Sequence, residues 1–196
     1  MTVTRVALIL VAGLAIGAPA IAQETPPSQA PDAAMPLPKP GPEHEIFKED
    51  AGTWDATVET FMSPGAGPMV SKGVEVNTVG CSGLCLITDF KGEMMPGMTF
   101  QGHGVAAYDA AKKKYVGSWT DSMSAGLAVS EATWDPTART MTGYMEGPDM
   151  TGKKVKMKSV VEYKDRDSRV FTMYTPDTGG KETVSMRITY KRSPSE

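Results

Sequence analysis

Val155-Lys156-Met157-Lys158-Ser159-Val160-Val161-Glu162-Tyr163 is the stretch that decides the fold. Val155, Met157, Ser159, Val161 and Tyr163 occupy alternate positions, and Lys156, Lys158 and Glu162 stand between them. Successive side chains of a strand point to opposite faces, so this pattern suits a strand with one face on a core and one in water. The same period returns in Val184, Met186, Ile188 and Tyr190 against Ser185, Arg187 and Thr189. It also governs Trp54, Ala56, Val58, Thr60 and Met62 against Asp55, Thr57 and Glu59.

Working outward, seven more strand-like runs cover 70–76, 84–90, 98–108, 115–121, 127–134, 140–146 and 170–174. Turn signals punctuate them: Pro64-Gly65-Ala66-Gly67, Asp109-Ala110-Ala111-Lys112, Asp135-Pro136, Gly147-Pro148-Asp149 and Asp177-Thr178-Gly179-Gly180. Short strands at near-regular spacing mark an all-β sandwich or barrel. About ten strands joined by successive hairpins need closure to remove their edges. The expectation is therefore a single up-and-down antiparallel β-barrel of about ten strands over residues 43–192, wide enough to enclose a small ligand. One short helix precedes it. Pro42 suits its first turn, Glu43 and Glu45 place acid where the helix dipole favours it, Ile46 and Phe47 give it an apolar side, and Ala51-Gly52 ends it.

Ahead of the barrel, Arg5 is followed by an apolar run from Val6 to Ile16 and by Gly17-Ala18-Pro19-Ala20-Ile21-Ala22. A charged start, a short apolar stretch and a small-x-small exit describe a signal peptide over 1–22, cleaved after Ala22. The run is too short to span a bilayer, which takes roughly 20 apolar residues, and no later stretch is long enough. Residues 23–42 carry Pro26, Pro27, Pro31, Pro36, Pro38, Pro40 and Pro42 and read as a Pro-rich disordered spacer. A PxxP-like ligand in Pro36-Leu37-Pro38-Lys39-Pro40 is conceivable, but a solvated lead-in explains the composition better. The expected location is periplasmic or secreted.

The net charge is −3 and no basic stripe stands out, which argues against a nucleic-acid partner. Lys112-Lys113-Lys114 and Lys153-Lys154 lie beside turns, as solvated strand ends do. The two cysteines fall in Gly80-Cys81-Ser82-Gly83-Leu84-Cys85. In an oxidising space Cys81 and Cys85 are expected to form a disulfide across the Ser82-Gly83 bend. A redox pair is the alternative, but the spacing is C-x-x-x-C and no βαβ pattern surrounds it.

Gly102-His103-Gly104-Val105-Ala106-Ala107-Tyr108-Asp109, then Lys114 to Met123 (KYVGSWTDSM), then Ser130-Glu131, resembles the bacterial domain of unknown function 1579. Gly41-Pro42-Glu43-His44 with Gly52-Thr53-Trp54, and Asp89-Phe90-Lys91-Gly92-Glu93-Met94-Met95, are similar to the same family. The resemblance covers essentially all of residues 42–191. It implies a lipocalin-like, or calycin-like, barrel of ten or so strands, and it implies no established activity and no agreed catalytic residues. Cys81 and Cys85 depart from the commoner pattern of that family.

The candidate binding set comes from strand parity. Gln101 and His103 share one face of their strand, Tyr115, Trp119 and Asp121 one face of the next, and Leu127, Val129 and Glu131 one face of the third. If these faces point inward, Gln101, His103, Tyr115, Trp119, Asp121 and Glu131 meet in one cavity, with His103 in reach of Asp121 or Glu131. The set would hold a polar head group or serve as acid and base. The alternative places Asp121 at a strand end in solvent and His103 in a local hydrogen bond. The glycines flanking His103 leave room for a close approach by another group. His44 reads as a surface or packing residue of the helix.

No zinc-ligand spacing occurs, two histidines are few for a haem site, and no G-x-S-x-G or phosphate loop is present, so no catalytic residue, metal or cofactor is assigned. Met94, Met95 and Met98 cluster at Pro96-Gly97; thioethers are Cu(I) ligands, but Met is also a flexible filler of cavities and mouths. Three functions remain open. The first is an exported barrel that binds a small, partly apolar or amphipathic molecule. The second is an enzyme that uses cavity carboxylates. The third is a packed barrel acting on other envelope proteins through its outer surface.

Overall fold

The computed structural model divides the chain into two units, Met1–Leu37 and Pro38–Glu196. The structure describes residues 37–62, 67–95, 97–149, 151–177 and 179–194, with the side chain of Met95 left aside. The signal-peptide segment and residues 23–36 of the Pro-rich spacer lie outside the described residues.

The second unit opens with a 3-10 turn, Pro42–His44, which runs into α1, Glu45–Asp50. Ten strands follow: β1 (Gly52–Thr60), β2 (Met69–Gly80), β3 (Cys85–Met95), β4 (Met98–Asp109) and β5 (Lys114–Asp121), then β6 (Ala128–Asp135), β7 (Thr140–Pro148), β8 (Lys154–Tyr163), β9 (Ser168–Pro176) and β10 (Glu182–Arg192). Every strand pairs antiparallel with the next, and β10 returns to β1 with Trp54 opposite Arg192 and Thr60 opposite Met186. The sheet is closed, as the alternation and hairpin spacing predict. Each strand run read from the sequence corresponds to one of these ten, although Met62 falls just beyond β1 and β2 begins at Met69.

Closure turns one face of every strand inward, and two apolar clusters fill different parts of that interior. The first sits at one end. Ile46 and Phe47 of α1 pack there on Leu86, Tyr115 and Tyr163, with Tyr108 and Trp134 around them. Phe47 meets Tyr115 edge-on with ring centroids 5.8 Å apart, and the Tyr115 hydroxyl donates to the Glu43 carbonyl at 2.7 Å. The helix is thus a plug, held by its apolar side and by one buried hydroxyl. His44 is a packing residue of this plug, as anticipated. It is buried, Gly41 N–H donates to its Nδ1 at 3.0 Å, and its ring stands against Phe47 and Tyr108. The second cluster lines the barrel wall: Trp54, Ala56, Phe90, Ile188 and Tyr190, with Phe100, Trp119 and Phe171 packed against it.

Cys81 and Cys85 are bridged, with Cα atoms 5.4 Å apart. A 3-10 turn, Cys81–Gly83, joins β2 to β3 between them, and Ser82 takes a left-handed conformation (φ 55°). Among the described residues no helix is long and apolar enough to cross a membrane.

Candidate functional site

Above the plugged end, the barrel encloses a cavity of about 660 Å³. Its upper wall is set by strand ends at the opposite end: Thr60 of β1, Met69 of β2, Met94 of β3, Asp121 of β5 and Thr175 of β9. Deeper in, Phe90, Phe100, Trp119, Phe171 and Ile188 form an aromatic and aliphatic wall.

Methionine is the dominant lining residue. Met145 of β7 stands opposite Met157 of β8, and Met173 of β9 opposite Met186 of β10, so four consecutive strands place a thioether inside. Met62, Met69, Met94 and Met123 add to it nearer the strand ends. Flexible, polarisable side chains make such a wall adaptable to ligands of different shape. Of the three methionines flagged in the sequence, Met94 lines this cavity and Met98 is exposed and does not.

The floor is polar. Arg169 of β9 is buried among aromatic rings, with its guanidinium carbon 4.6 Å from the Trp54 ring centre and 4.2 Å from that of Tyr190. Its Nη2 donates to Glu75 Oε1 at 2.5 Å, and its Nε lies 3.1 Å from Asp50 Oδ1. Asn77 Nδ2 donates both to Glu75 Oε1 (2.9 Å) and to the Asp50 carbonyl (3.2 Å), and Thr88 donates to Asn77 Oδ1 (2.6 Å). The Trp54 indole N–H also donates to the Asp50 carbonyl, at 2.9 Å. The last residue of the plug helix is thereby tied to three strands. The contact of Asp50 with Arg169 is ionic only: Asp50 Oδ1 and Arg169 Nε are out of line and neither has a hydrogen-bond partner. Burial raises the Asp50 carboxyl to about 6, against the opposing pull of Arg169. Burial likewise lifts the Tyr190 and Tyr163 phenols well above their ordinary value.

The residues singled out by parity divide into three places. Trp119 and Asp121 face the cavity. The Trp119 indole N–H donates to Asp121 Oδ2 at 3.0 Å, while Asp121 Oδ1 accepts from the N–H groups of Met123 and Ser124 and organises the following turn. Tyr115 points inward too, but into the helix-plug cluster and not onto the cavity lining.

Gln101, His103 and Glu131 are on the outer face, which corrects the expectation that all six meet inside. The register explains it: Gly102 pairs with Asp121 and Gly104 with Trp119, so the glycines, not His103, share the inward face. The close approach that these glycines permit is made by Trp119. A Cβ at Gly104 would lie 2.9 Å from its ring, and one at Gly102 would overlap it. His103 Nδ1 instead meets Asp89 Oδ1 at 2.9 Å in solvent, and neither Asp121 nor Glu131 is its partner. Glu131 accepts from Lys112 (2.6 Å) and Lys114 (2.8 Å), and these hydrogen bonds pull its carboxyl down to about 2.

Sequence reasoning missed the floor. Arg169 immediately precedes the run 170–174, and its parity matches Phe171 and Met173, which both line the cavity. An arginine in phase with inward apolar residues was the available signal. Glu75 and Asn77 were masked by Val74 and Val76, which look like the core face of β2 but are each 42% exposed. Among the described residues no cluster of His, Cys, Asp and Glu has metal-binding geometry.

A closed ten-stranded meander with a plugged end and an interior cavity defines a lipocalin-like barrel. The chain belongs to the family described as proteins of unknown function, DUF1579, whose model matches residues 39–192. Among solved structures, Rv2717c from M. tuberculosis superposes with a TM-score of 0.61 at 11% identity, over 79% of this chain and 99% of that one. The S-type phycobiliprotein lyase CPES from Guillardia theta does so with a TM-score of 0.56 at 14% identity, over 79% and 94%. At such identities the likeness is one of fold. No curated protein matches the chain in sequence.

Proposed function

We propose that this protein is an exported barrel that binds a small, amphipathic molecule in its cavity. The observation that carries the reading is the cavity itself: about 660 Å³, walled through its middle by methionine and aromatic side chains, with a buried charged group at the floor and further polar side chains near the strand ends. Ligand sites are of this size and are mostly apolar with a small number of placed polar groups. Trp119 is a wall, Asp121 stands at the cavity edge, and Arg169, Glu75, Asp50 and Tyr190 form the polar end. Gln101, His103 and Glu131 take no part, because they face outward. An open interior also speaks against a barrel that works through its outer surface alone. One of the two solved barrels is a phycobiliprotein lyase, which is in keeping with a small-molecule role for the fold.

Export rests on the Ala20-x-Ala22 exit after a short apolar run, and the Cys81–Cys85 bridge is in keeping with an oxidising compartment. The exported protein should have an intact mass that begins at Gln23; a mass that retains residues 1–22 would refute cleavage. The binding reading is tested by native mass spectrometry of protein purified gently from its own host. A retained small molecule, lost in Trp119→Ala with the fold intact, is the expected result. A bare protein that also takes up no apolar probe overturns it.

A second reading, an acid–base enzyme, has one observation in its favour. The Asp50 carboxyl, at about 6, titrates where a general acid or base would. If that reading holds, a retained molecule should be converted over time by wild type and left unchanged by Asp50→Asn.

A further inference from the structure

Resting on the reading that the cavity takes an amphipathic molecule, we propose that its floor selects a head group bearing a cationic nitrogen, such as a protonated amine, and rejects a carboxylate. Two carboxylates and one guanidinium make up the charged floor. Arg169 already faces Glu75 at 2.5 Å and Asp50 at 3.1 Å, and the side chains of all three are at least nine-tenths buried. Aromatic rings lie against the guanidinium from Trp54 and Tyr190. An arriving carboxylate would be the third anion on one cation, in a space where water cannot screen it.

A cation meets the opposite situation. Asp50 lines the cavity, and its Oδ1 faces Arg169 Nε at 3.1 Å out of hydrogen-bond line, so that neither atom has a hydrogen-bond partner. One guanidinium is thus shared between two carboxylates and hydrogen-bonds only Glu75, and a cationic N–H donor that reaches the floor supplies Asp50 with the hydrogen bond that Arg169 does not give it. The nearby cation Arg192 does not serve that purpose. Its N–H groups donate to the Ala51 and Glu49 carbonyls at 2.7 and 2.8 Å and to Asp167 Oδ1 at 2.9 Å, and it does not line the cavity. The other cation on the lining, Lys72, donates from an exposed position to Thr57 Oγ1 at 2.6 Å. Toward the strand ends the lining adds Glu93, Asp121 and Asp149. These acids give the approach to the floor the same sign, which attracts a cation and repels an anion.

The test is titration of the purified protein with dodecylamine, dodecanol and dodecanoate near neutral pH, below micelle formation, followed by tryptophan fluorescence. The three probes share one chain and differ only in the head. The amine should bind at least about tenfold more tightly than the carboxylate, with the alcohol between them. Asp50→Asn, with unchanged circular dichroism, should bring the amine down to the level of the alcohol. Dodecanoate bound as tightly as the amine, or all three bound alike, overturns the head-group selection and leaves the cavity reading standing. Binding of none of the three removes both. The wild-type series decides the matter even if the variant fails to fold.

Discussion

Asp50 is where burial and function pull in different directions. Its carboxyl rises from an ordinary 3.8 to about 6, because desolvation outweighs the attraction of Arg169 and Arg192, while Glu75 and Glu49 push it further up. The protonated form is favoured in the folded chain, so between these two values the native state holds a proton that the unfolded chain has released. Folding stability tied to this group is therefore fully present below about 4 and is lost as the pH rises through about 6. Wild type should lose stability relative to Asp50→Asn between pH 4 and pH 7, by about 3 kcal/mol at most, in urea unfolding curves. A difference that stays constant across that window would show that Asp50 does not titrate in it. Gly102 poses a purely steric question. A side chain there would occupy the space of the Trp119 ring, so Gly102→Ala should cost about 1–3 kcal/mol by overpacking. Adding Trp119→Leu should recover part of that loss; no recovery would mean that backbone freedom, and not the ring, is what Gly102 provides.

At the scale of the element, β2 shows why parity is easier to read than polarity. Val70, Val74 and Val76 are exposed, while Glu75 and Asn77 are buried, the reverse of what an apolar–polar alternation implies. A strand records that its residues alternate, but not which set is inside; that is decided by its neighbours. β4 carries the same ambiguity, whereas the face read for β5 is the inward one. At the centre of β4 the inward positions are Gly102 and Gly104, whose lack of side chains makes them silent in a hydrophobic pattern, and the polar His103 draws the eye instead. In β8, and in β10 from Met186 onward, the inward set is also the apolar set and was legible; before Met186 an irregularity in register puts Val184 opposite Tyr174, off the lining, and brings Ser185 onto it. The turn between β2 and β3 is likewise local and was readable from Cys81, Ser82, Gly83 and Cys85. Cross-linking residues four apart should stabilise by about 2 kcal/mol through the unfolded chain. Alkylation under denaturing, non-reducing conditions should label neither cysteine, and Cys81→Ser with Cys85→Ser should lower the urea midpoint accordingly. Two added alkyl groups would refute the bridge.

For the molecule as a whole, strand count and closure followed from periodicity and turn spacing, because both are nearest-neighbour properties of a meander. The Arg169, Glu75 and Asp50 constellation was not legible, because its members lie on β9, β2 and the plug helix and meet only when the barrel is closed. The same closure sets up a last expectation. Eight methionines line an open interior that water solvates poorly, and an occupant would supply the contacts they lack. A ligand that binds the folded chain alone stabilises it by about 2.7 kcal/mol at a hundred times its dissociation constant. For a chain of this size that is worth several degrees, at about 2–4 °C per kcal/mol. Protein stripped by unfolding in guanidinium over a hydrophobic resin, then refolded with its disulfide intact, should melt several degrees below protein taken directly from its host. Returning the extracted fraction should restore the difference in wild type and fail to do so in Trp119→Ala. If stripped and native-source protein melt together, the cavity is empty in the host, and the methionine wall is packing that never receives a guest.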